Sequence, residues 1–326
     1  MRAIVITRPG GPDVLELQER PAPEPGLGQI RVRVCASALN RADLMQRMGS
    51  YPAPPGAPAD IPGLEYAGEV ESVGPSSSLW PVGSRVMGII GGGAHAELLC
   101  VHEREVLPMP RDLSFEESAA IPEVFLTAYD ALFHQLDVSL GERVLVHAIG
   151  SGVGTAALQL AHLAGATVYG TSRSPSKLER AKSLGLVHGI DTSSGDWPER
   201  VEALAGANGI HALMDLVGGD YLRDNLRVLA PRGRLVVVGL TAGNRTEIDL
   251  GMVLRKRVMI IGTALRSRAM EEKATLAREF SQRVVPLFDS KQLRPVIERV
   301  YSFSEIGAAH EEMAANTTFG KLVLRW

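Results

Sequence analysis

The chain has 326 residues, 45% of them hydrophobic and 22% charged, with a net charge of −3. These proportions exclude a wholly disordered or collagen-like chain, and the length points to about two domains. The near-neutral balance provides no global basic field, so no specific nucleic-acid partner is expected.

The first residues are interrupted by Arg2, Arg8 and Pro9, which argues against a signal peptide. No apolar run approaches the ~18 residues of a membrane span, so no membrane partner is expected. Cys35 and Cys100 lie far apart and outside any Cys-x-x-Cys pattern. A reducing, cytoplasmic setting follows as the expectation.

The first ~110 residues read as β-rich. Residues 30–34 alternate apolar and basic side chains, and residues 69–73 and 85–89 are further short strands. Pro- and Gly-rich loops separate them, notably residues 51–63, as in a small irregular barrel or sandwich. The style changes near Leu113. Ser114 and Glu117 form a capping box that opens a helix toward Ile121. Pro122 marks a break, and a second helix is predicted over residues 126–136. A βα series follows, with strands at residues 143–147, 167–171, 211–217, 234–238 and 258–262. Between the first three strands lie helices at residues 155–164 and from Ser174-Pro175 to Gly185. Alternating strands and helices rich in Val and Leu imply a parallel sheet covered on both faces. A helix over residues 270–285 and a strand over residues 321–324 form a tail expected to fold back on the N-terminal domain.

The turn after the first strand of the series reads His147-Ala-Ile-Gly-Ser-Gly-Val-Gly154. Glycines there let the backbone approach a pyrophosphate, and the helix start supplies N–H donors. If Gly154 is the third glycine of G-x-G-x-x-G, Ile149 and Ser151 stand at the first two positions. A tight turn without a ligand is the alternative. An NAD-selective site places an acid about 20 residues on. Here the second strand leads into Ser172, Arg173 and Lys177, with no acid before Glu179. Cations at a helix start are disfavoured by the macrodipole unless an anion joins them. The 2′-phosphate of NADPH is the obvious anion, and two solvated surface cations are the alternative.

These motifs carry a family resemblance. Ala38-Leu-Asn-Arg-Ala-Asp43, Gly63-Leu-Glu-Tyr-Ala-Gly68, Leu113-Ser-Phe-Glu-Glu117, Leu126-Thr-Ala-Tyr129, the glycine turn, Leu265-Arg-Ser-Arg268 and the ending Gly320-Lys-Leu-Val-Leu resemble the medium-chain dehydrogenase/reductase superfamily over nearly the whole chain. Within it, the chain looks like the zinc-free quinone oxidoreductase branch. The resemblance implies an α/β protein with a GroES-like catalytic domain (residues 1–122), a Rossmann NADP-binding domain (residues 123–264) and a C-terminal segment (residues 265–326) returning to the catalytic domain. It also implies a homodimer joined sheet edge to sheet edge.

The zinc branches place a Cys where this chain has Asn40, a His where it has Leu64, and a third ligand near Glu123. They also carry a four-cysteine structural lobe that is absent here. Glu65 alone cannot complete a tetrahedral shell, so no metal site is expected. An acceptor that is already electrophilic, such as a quinone, or an alkene beside a carbonyl, fits zinc-free hydride transfer from NADPH. A noncatalytic NADPH-binding protein, as among the crystallin relatives, is the remaining class.

The resemblance puts Asn40 and Thr127 near the nicotinamide and Tyr51 near the acceptor. Each has a plainer reading: Asn40 pins a loop, Thr127 caps its helix, Tyr51 anchors packing. Gly152 and Val153 should meet the pyrophosphate, and Ser172 and Lys177, with Arg173 beside them, the 2′-phosphate. Val217, Gly239, Leu240, Thr241, Ala264 and Leu265 should line the nicotinamide end, and Asn316 should close over the cofactor. The Tyr that relatives carry on the third strand is missing from residues 189–192. Asp43 and Glu65 read as structural carboxylates, Cys35 as a small core residue and His147 as a packed histidine.

Overall fold

The computed structural model describes residues 1–326. It divides into two units, one of Met1–Leu126 with Leu265–Trp326, the other of Thr127–Ala264.

The first unit starts with an antiparallel ribbon, β1 (Arg2–Ile6) with β2 (Leu15–Glu19). Its main sheet is organised by the long strand β3 (Gln29–Ala38). The two-residue period of a strand sends Ile30, Val32 and Val34 into the core and Arg31 and Arg33 to the other face. There both arginines hold Glu71, at 2.7 and 2.8 Å. After β3 comes helix α1 (Arg41–Arg47). One edge of β3 pairs with β4 (Glu65–Val73), which pairs with β5 (Arg85–Ile89). The other edge takes β6 (Leu98–His102), and β7 (Val106–Pro108) extends the sheet beyond β5.

Cys35 departs from expectation: it is half-buried rather than in the core. The register of β3 against β4 shifts between Val34 and Ala36, a bulge that leaves the intervening residue out of alternation.

Ser114 caps α2 (Phe115–Ala119) through the predicted box. The expected break lies at Ala120–Ile121, and Pro122 is the first residue of the next helix, α3 (Pro122–Tyr129), which therefore starts before the expected Leu126. Proline lacks the N–H that a first helical turn leaves unused and has the right φ, so it starts this helix. Thr127 is therefore well inside α3 and is not a cap. The helix continues as a π-helical stretch, Asp130–Gln135.

The second unit is a six-stranded parallel sheet of β8 (Arg143–Val146), β9 (Thr167–Ser172), β10 (His188–Asp191), β11 (Ile210–Asp215), β12 (Leu229–Val237) and β13 (Met259–Gly262), in the order β10-β9-β8-β11-β12-β13. Helices α4 (Gly152–Leu163), α5 (Pro175–Lys182), α6 (Trp197–Ala205), α7 (Tyr221–Val228) and α8 (Leu250–Lys256) connect or flank the strands. Leu145, Tyr169, Ile190, Leu213 and Leu235 from five strands pack with Trp197, Val201 and Leu226. The edge strand β13 leaves Met259 51% and Ile260 40% exposed.

The tail begins with α9 (Met270–Arg283) and α10 (Val285–Asp289). The single helix expected over residues 270–285 ends early because Pro286 starts a new one. After β14 (Ile297–Ser302) and α11 (Ile306–Ala314) comes β15 (Lys321–Arg325), which pairs antiparallel with Ala36–Ala38 of β3. The tail thus completes the sheet of the first unit. No helix is long and apolar enough to cross a membrane.

Candidate functional site

The glycine turn lies at the C-terminal end of β8. Ser151 is the N-cap of α4, its hydroxyl accepting from Gly154 N at 3.0 Å, which starts the helix three residues before the expected position. A Cβ on Gly154 would meet Ala148 O at 2.5 Å and Ile149 Cα at 2.8 Å. Only glycine allows the helix to sit this close to its turn, the role of the third fingerprint glycine. The amides of Gly152 and Val153 head the helix with no hydrogen bond inside the chain. Two free donors on a positive helix end fit a pyrophosphate.

At the end of β9, Ser172 is buried and its hydroxyl accepts from Ser174 N at 3.0 Å. Arg173 is exposed, and Lys177 lies half-buried in the first turn of α5. Ser174 occupies the N-cap position, but its hydroxyl meets Ser176 Oγ at 2.9 Å rather than a helix amide. The parallel pairing also sets Asp191 of β10 beside Ser172. Its carboxylate accepts from Ser193 N at 2.9 Å, which holds its pKa below the usual range. No acid follows β9 along the chain before Glu179 in α5, but one does stand beside its end across the sheet.

A buried polar chain pins the other strand ends. Asn225 donates to Asp215 Oδ2 at 2.9 Å, so its Oδ1 accepts from His147 Nε2 at 2.6 Å. His147 Nδ1 then accepts from the Thr171 hydroxyl at 2.8 Å. Burial lowers the His147 pKa, and both ring nitrogens are used. It is a packed histidine, as the sequence suggested. Asp215 Oδ1 also accepts from Val217 N and Gly218 N, at 2.8 and 2.9 Å. These bonds fix the loop containing Val217, against which the Gly239–Thr241 turn folds through Ala242 N to Val217 O and Thr241 Oγ1 to Leu216 O. Leu240 is 53% exposed there, an apolar side chain available to a planar ring. Thr127 and Ala264 bound this unit.

The first unit holds a second constellation. Lys321 Nζ, on a side chain 4% exposed, donates to Glu65 Oε1 at 2.7 Å, to Asn40 Oδ1 at 2.7 Å and to the Leu39 carbonyl. The Asn40 amide donates back to Glu65 Oε1 at 2.9 Å. Glu65 Oε2 accepts from Glu123 N, at the start of α3, at 2.8 Å. Asp43 accepts from Asn40 N at 2.7 Å and Gly63 N at 2.9 Å, which makes it a loop-pinning carboxylate. Asn40 thus has both ends of its amide engaged inside this network. Burial raises the Glu65 pKa despite Lys321, and raises Asp43 to about 6. Glu123 is pushed up to about 8, first by burial of its carboxyl and then by the Glu65 charge. Its side chain is nonetheless only half-buried overall.

Tyr51 is next to this cluster through Arg266. The guanidinium stacks over the Tyr51 ring at 4.8 Å and donates to Gln46 Oε1 and Gly91 O, at 2.6 and 2.8 Å. It is close enough to oppose the upward shifts at Asp43 and Glu123. The Tyr51 hydroxyl has no partner within the chain. Asn316, with φ +58°, accepts from Arg41 at 2.5 Å, and Leu265 is buried; both belong to this unit.

Three residues of these constellations were not singled out in the sequence. Lys321 was visible only as part of the terminal motif, Glu123 only as a lost ligand position, and Asp191 not at all. The residues present do not fit a zinc ion: Asn40, Leu64 and Glu123 stand at the ligand positions of the zinc branches, and an ammonium already neutralises Glu65. No group of three or more His, Cys, Asp or Glu side chains converges as a metal set.

A GroES-like β-rich unit and a parallel-sheet unit with an open helix start define a nucleotide-dependent dehydrogenase fold. Residues 26–111 match the alcohol dehydrogenase GroES-like domain and residues 152–282 the zinc-binding dehydrogenase domain. The chain is 34% identical to a quinone oxidoreductase of Pseudomonas aeruginosa, over 97% of this chain and 96% of that one. It is 31% identical to the synaptic vesicle membrane protein VAT-1 homolog-like of Mus musculus, over 99% of this chain and 81% of that one. Among solved structures it superposes on the CurK enoyl reductase with a TM-score of 0.88 at 29% identity, covering 99% of this chain and 98% of that one. The chain belongs to the medium-chain dehydrogenase/reductase superfamily, whose members are oxidoreductases that bind nicotinamide cofactors.

Proposed function

We propose that the protein is a zinc-independent, NADPH-dependent quinone oxidoreductase. The observation that carries this reading is the Lys321 ammonium bound between Glu65 and Asn40, where the zinc branches arrange their metal. With no Lewis acid to polarise a carbonyl, the acceptor must already be electrophilic. Quinones are.

When bound, NADPH supplies the hydride. Gly152 and Val153 hold its pyrophosphate on the α4 amides, and Ser172, Arg173 and Lys177 hold its 2′-phosphate. Val217, Gly239, Leu240, Thr241 and Ala264 line the nicotinamide end. Hydride plus one proton converts a quinone to a hydroquinone. The unpaired Tyr51 hydroxyl orients an acceptor oxygen. Glu123 retains its proton up to about pH 8 and gives it to the oxyanion, and Arg266 and Lys321 stabilise the carboxylate left behind. Solvent restores the proton.

The same acid suits an enone or enoyl reductase, which must protonate carbon. The Glu123 carboxyl and the enoyl reductase likeness keep that reading second. The protein is further proposed to act as a homodimer, because the apolar edge strand β13 is left open, and in the cytoplasm, where its two free cysteines stay reduced.

The test is NADPH consumption with a benzoquinone, an enone and an enoyl thioester, before and after chelator treatment. Quinone turnover that survives chelation, without stoichiometric zinc, is expected. Faster turnover of the enoyl thioester would move the reading to the second function. One zinc per chain with chelator-sensitive activity would overturn the zinc-free mechanism, and binding without consumption would leave a noncatalytic protein.

A further inference from the structure

The parallel sheet of the second unit has two ends, and the glycine turn uses only the C-terminal one. At the other end, where β11, β12 and β13 begin, lies a cavity of about 390 Å³. His211, Arg232, Arg234, Arg257 and Met259 line it, with Gly233 and Pro231 between them.

Its charge is unbalanced. Arg234 is neutralised: it donates to Glu142 at 2.6 and 3.0 Å and to the Leu136 carbonyl at 2.5 Å. The guanidinium groups of Arg232 and Arg257, on exposed residues, have neither a hydrogen bond nor an ion pair within the chain. Both residues also have left-handed backbone, φ +64° and +54°, a conformation that suits glycine or asparagine far better than arginine. Two strained arginines therefore face the same cavity without a counter-charge.

His211 adds an independent sign. Its Nδ1 accepts from Arg143 N at 2.9 Å, so the proton of the neutral ring is on Nε2. That N–H faces Arg143 Nη2, itself a donor, at 2.8 Å. Arg143 Nη2 has an acceptor in the Asn208 carbonyl at 3.2 Å, so the His211 Nε2 N–H is the donor left without one, and an anionic oxygen in the cavity would serve it. Burial and the Arg143 and Arg234 charges already lower the His211 pKa, and the Glu142 carboxylate that opposes them is committed to Arg234.

We propose that this cavity binds a small, multiply charged organic anion, a phosphate monoester or a polycarboxylate, between Arg232 and Arg257. The volume is within the range of small-molecule sites and exceeds what one inorganic ion fills. The site is separate from the cofactor phosphates and independent of which acceptor the enzyme reduces.

The experiment is calorimetric titration of the full chain with glycerol phosphate, citrate and inorganic phosphate at fixed ionic strength. NMR follows the His211 ring in parallel. The variants Arg232→Gly and Arg257→Gly remove each guanidinium and relieve the left-handed backbone, so lost binding is not lost folding. Glycerol phosphate or citrate should bind at one per chain and raise the His211 pKa. Each glycine variant should weaken binding roughly tenfold or more, the value of one charge-assisted contact. Lys177→Ala should leave it unchanged. Stronger binding of one organic anion than of the other assigns the headgroup. The proposal is overturned if neither organic anion saturates, if inorganic phosphate binds as tightly as both, or if Lys177→Ala rather than the glycine variants abolishes binding.

Discussion

Lys321→Met is the perturbation whose cost the structure defines best. It removes the donor to Glu65 Oε1, Asn40 Oδ1 and the Leu39 carbonyl. Glu65 is 0% exposed and would retain only the Asn40 amide and Glu123 N. Removing one partner of a buried ion pair costs about 3–5 kcal/mol, because the other charge stays desolvated. For a unit of this size that is a fall in Tm of roughly 6–20 °C. The loss should depend on pH with a definite sign. The folded Glu65 pKa is raised above its unfolded value, and without Lys321 it rises further. A group of that kind favours folding in its protonated form, and the advantage fades as pH rises through the folded pKa. The variant should therefore lose most at pH 8 and less at pH 5.5. Asp43 and Glu123 titrate in the same cluster, so wild type and Glu123→Gln are melted alongside at each pH. Adding Glu65→Gln should recover most of the loss, since a neutral amide needs no counter-charge. A loss under about 1 kcal/mol, an equal loss at both pH values, or a double variant no better than Lys321→Met would refute the reasoning.

Lys177→Ala should weaken NADPH by roughly 10- to 150-fold, the value of one charge-assisted contact, and leave NADH nearly unchanged in direct titrations. The Asp191 carboxylate beside Ser172 should keep the wild-type preference modest, and equal weakening of both cofactors would remove the phosphate-site argument. Glu123 is protonated below its pKa of about 8, so acceptor reduction should decline as pH rises through that value. Glu123→Gln should abolish that limb of the pH–rate profile and lower enone turnover roughly hundredfold, with NADPH affinity unchanged. Ile260→Lys puts a charge on the open edge of β13, and light scattering at micromolar concentration should then detect a monomer, with a dimer expected for wild type.

What the sequence determined about this protein is what local chemistry encodes. The alternation at residues 30–34 gave the inward face of β3, and Ser114 with Glu117 gave the start of α2. The glycine run gave a helix start with free amides. Each signal lies within a few residues of its consequence, because period, cap and turn are properties of short segments. The start of α3 at Pro122 rather than Leu126 was not legible, because a proline that ends one helix and a proline that starts the next look alike until the chain is placed. The tertiary structure alone decided the rest. Lys321 meets Asn40 across 281 residues because β15 returns to pair with β3. Asp191 reaches Ser172 through parallel register, and His211, Arg232 and Arg257 gather only where three separate strands begin. The composition supplies these charges, but long-range pairing sets which come together, and burial is what shifts a carboxyl to about 8.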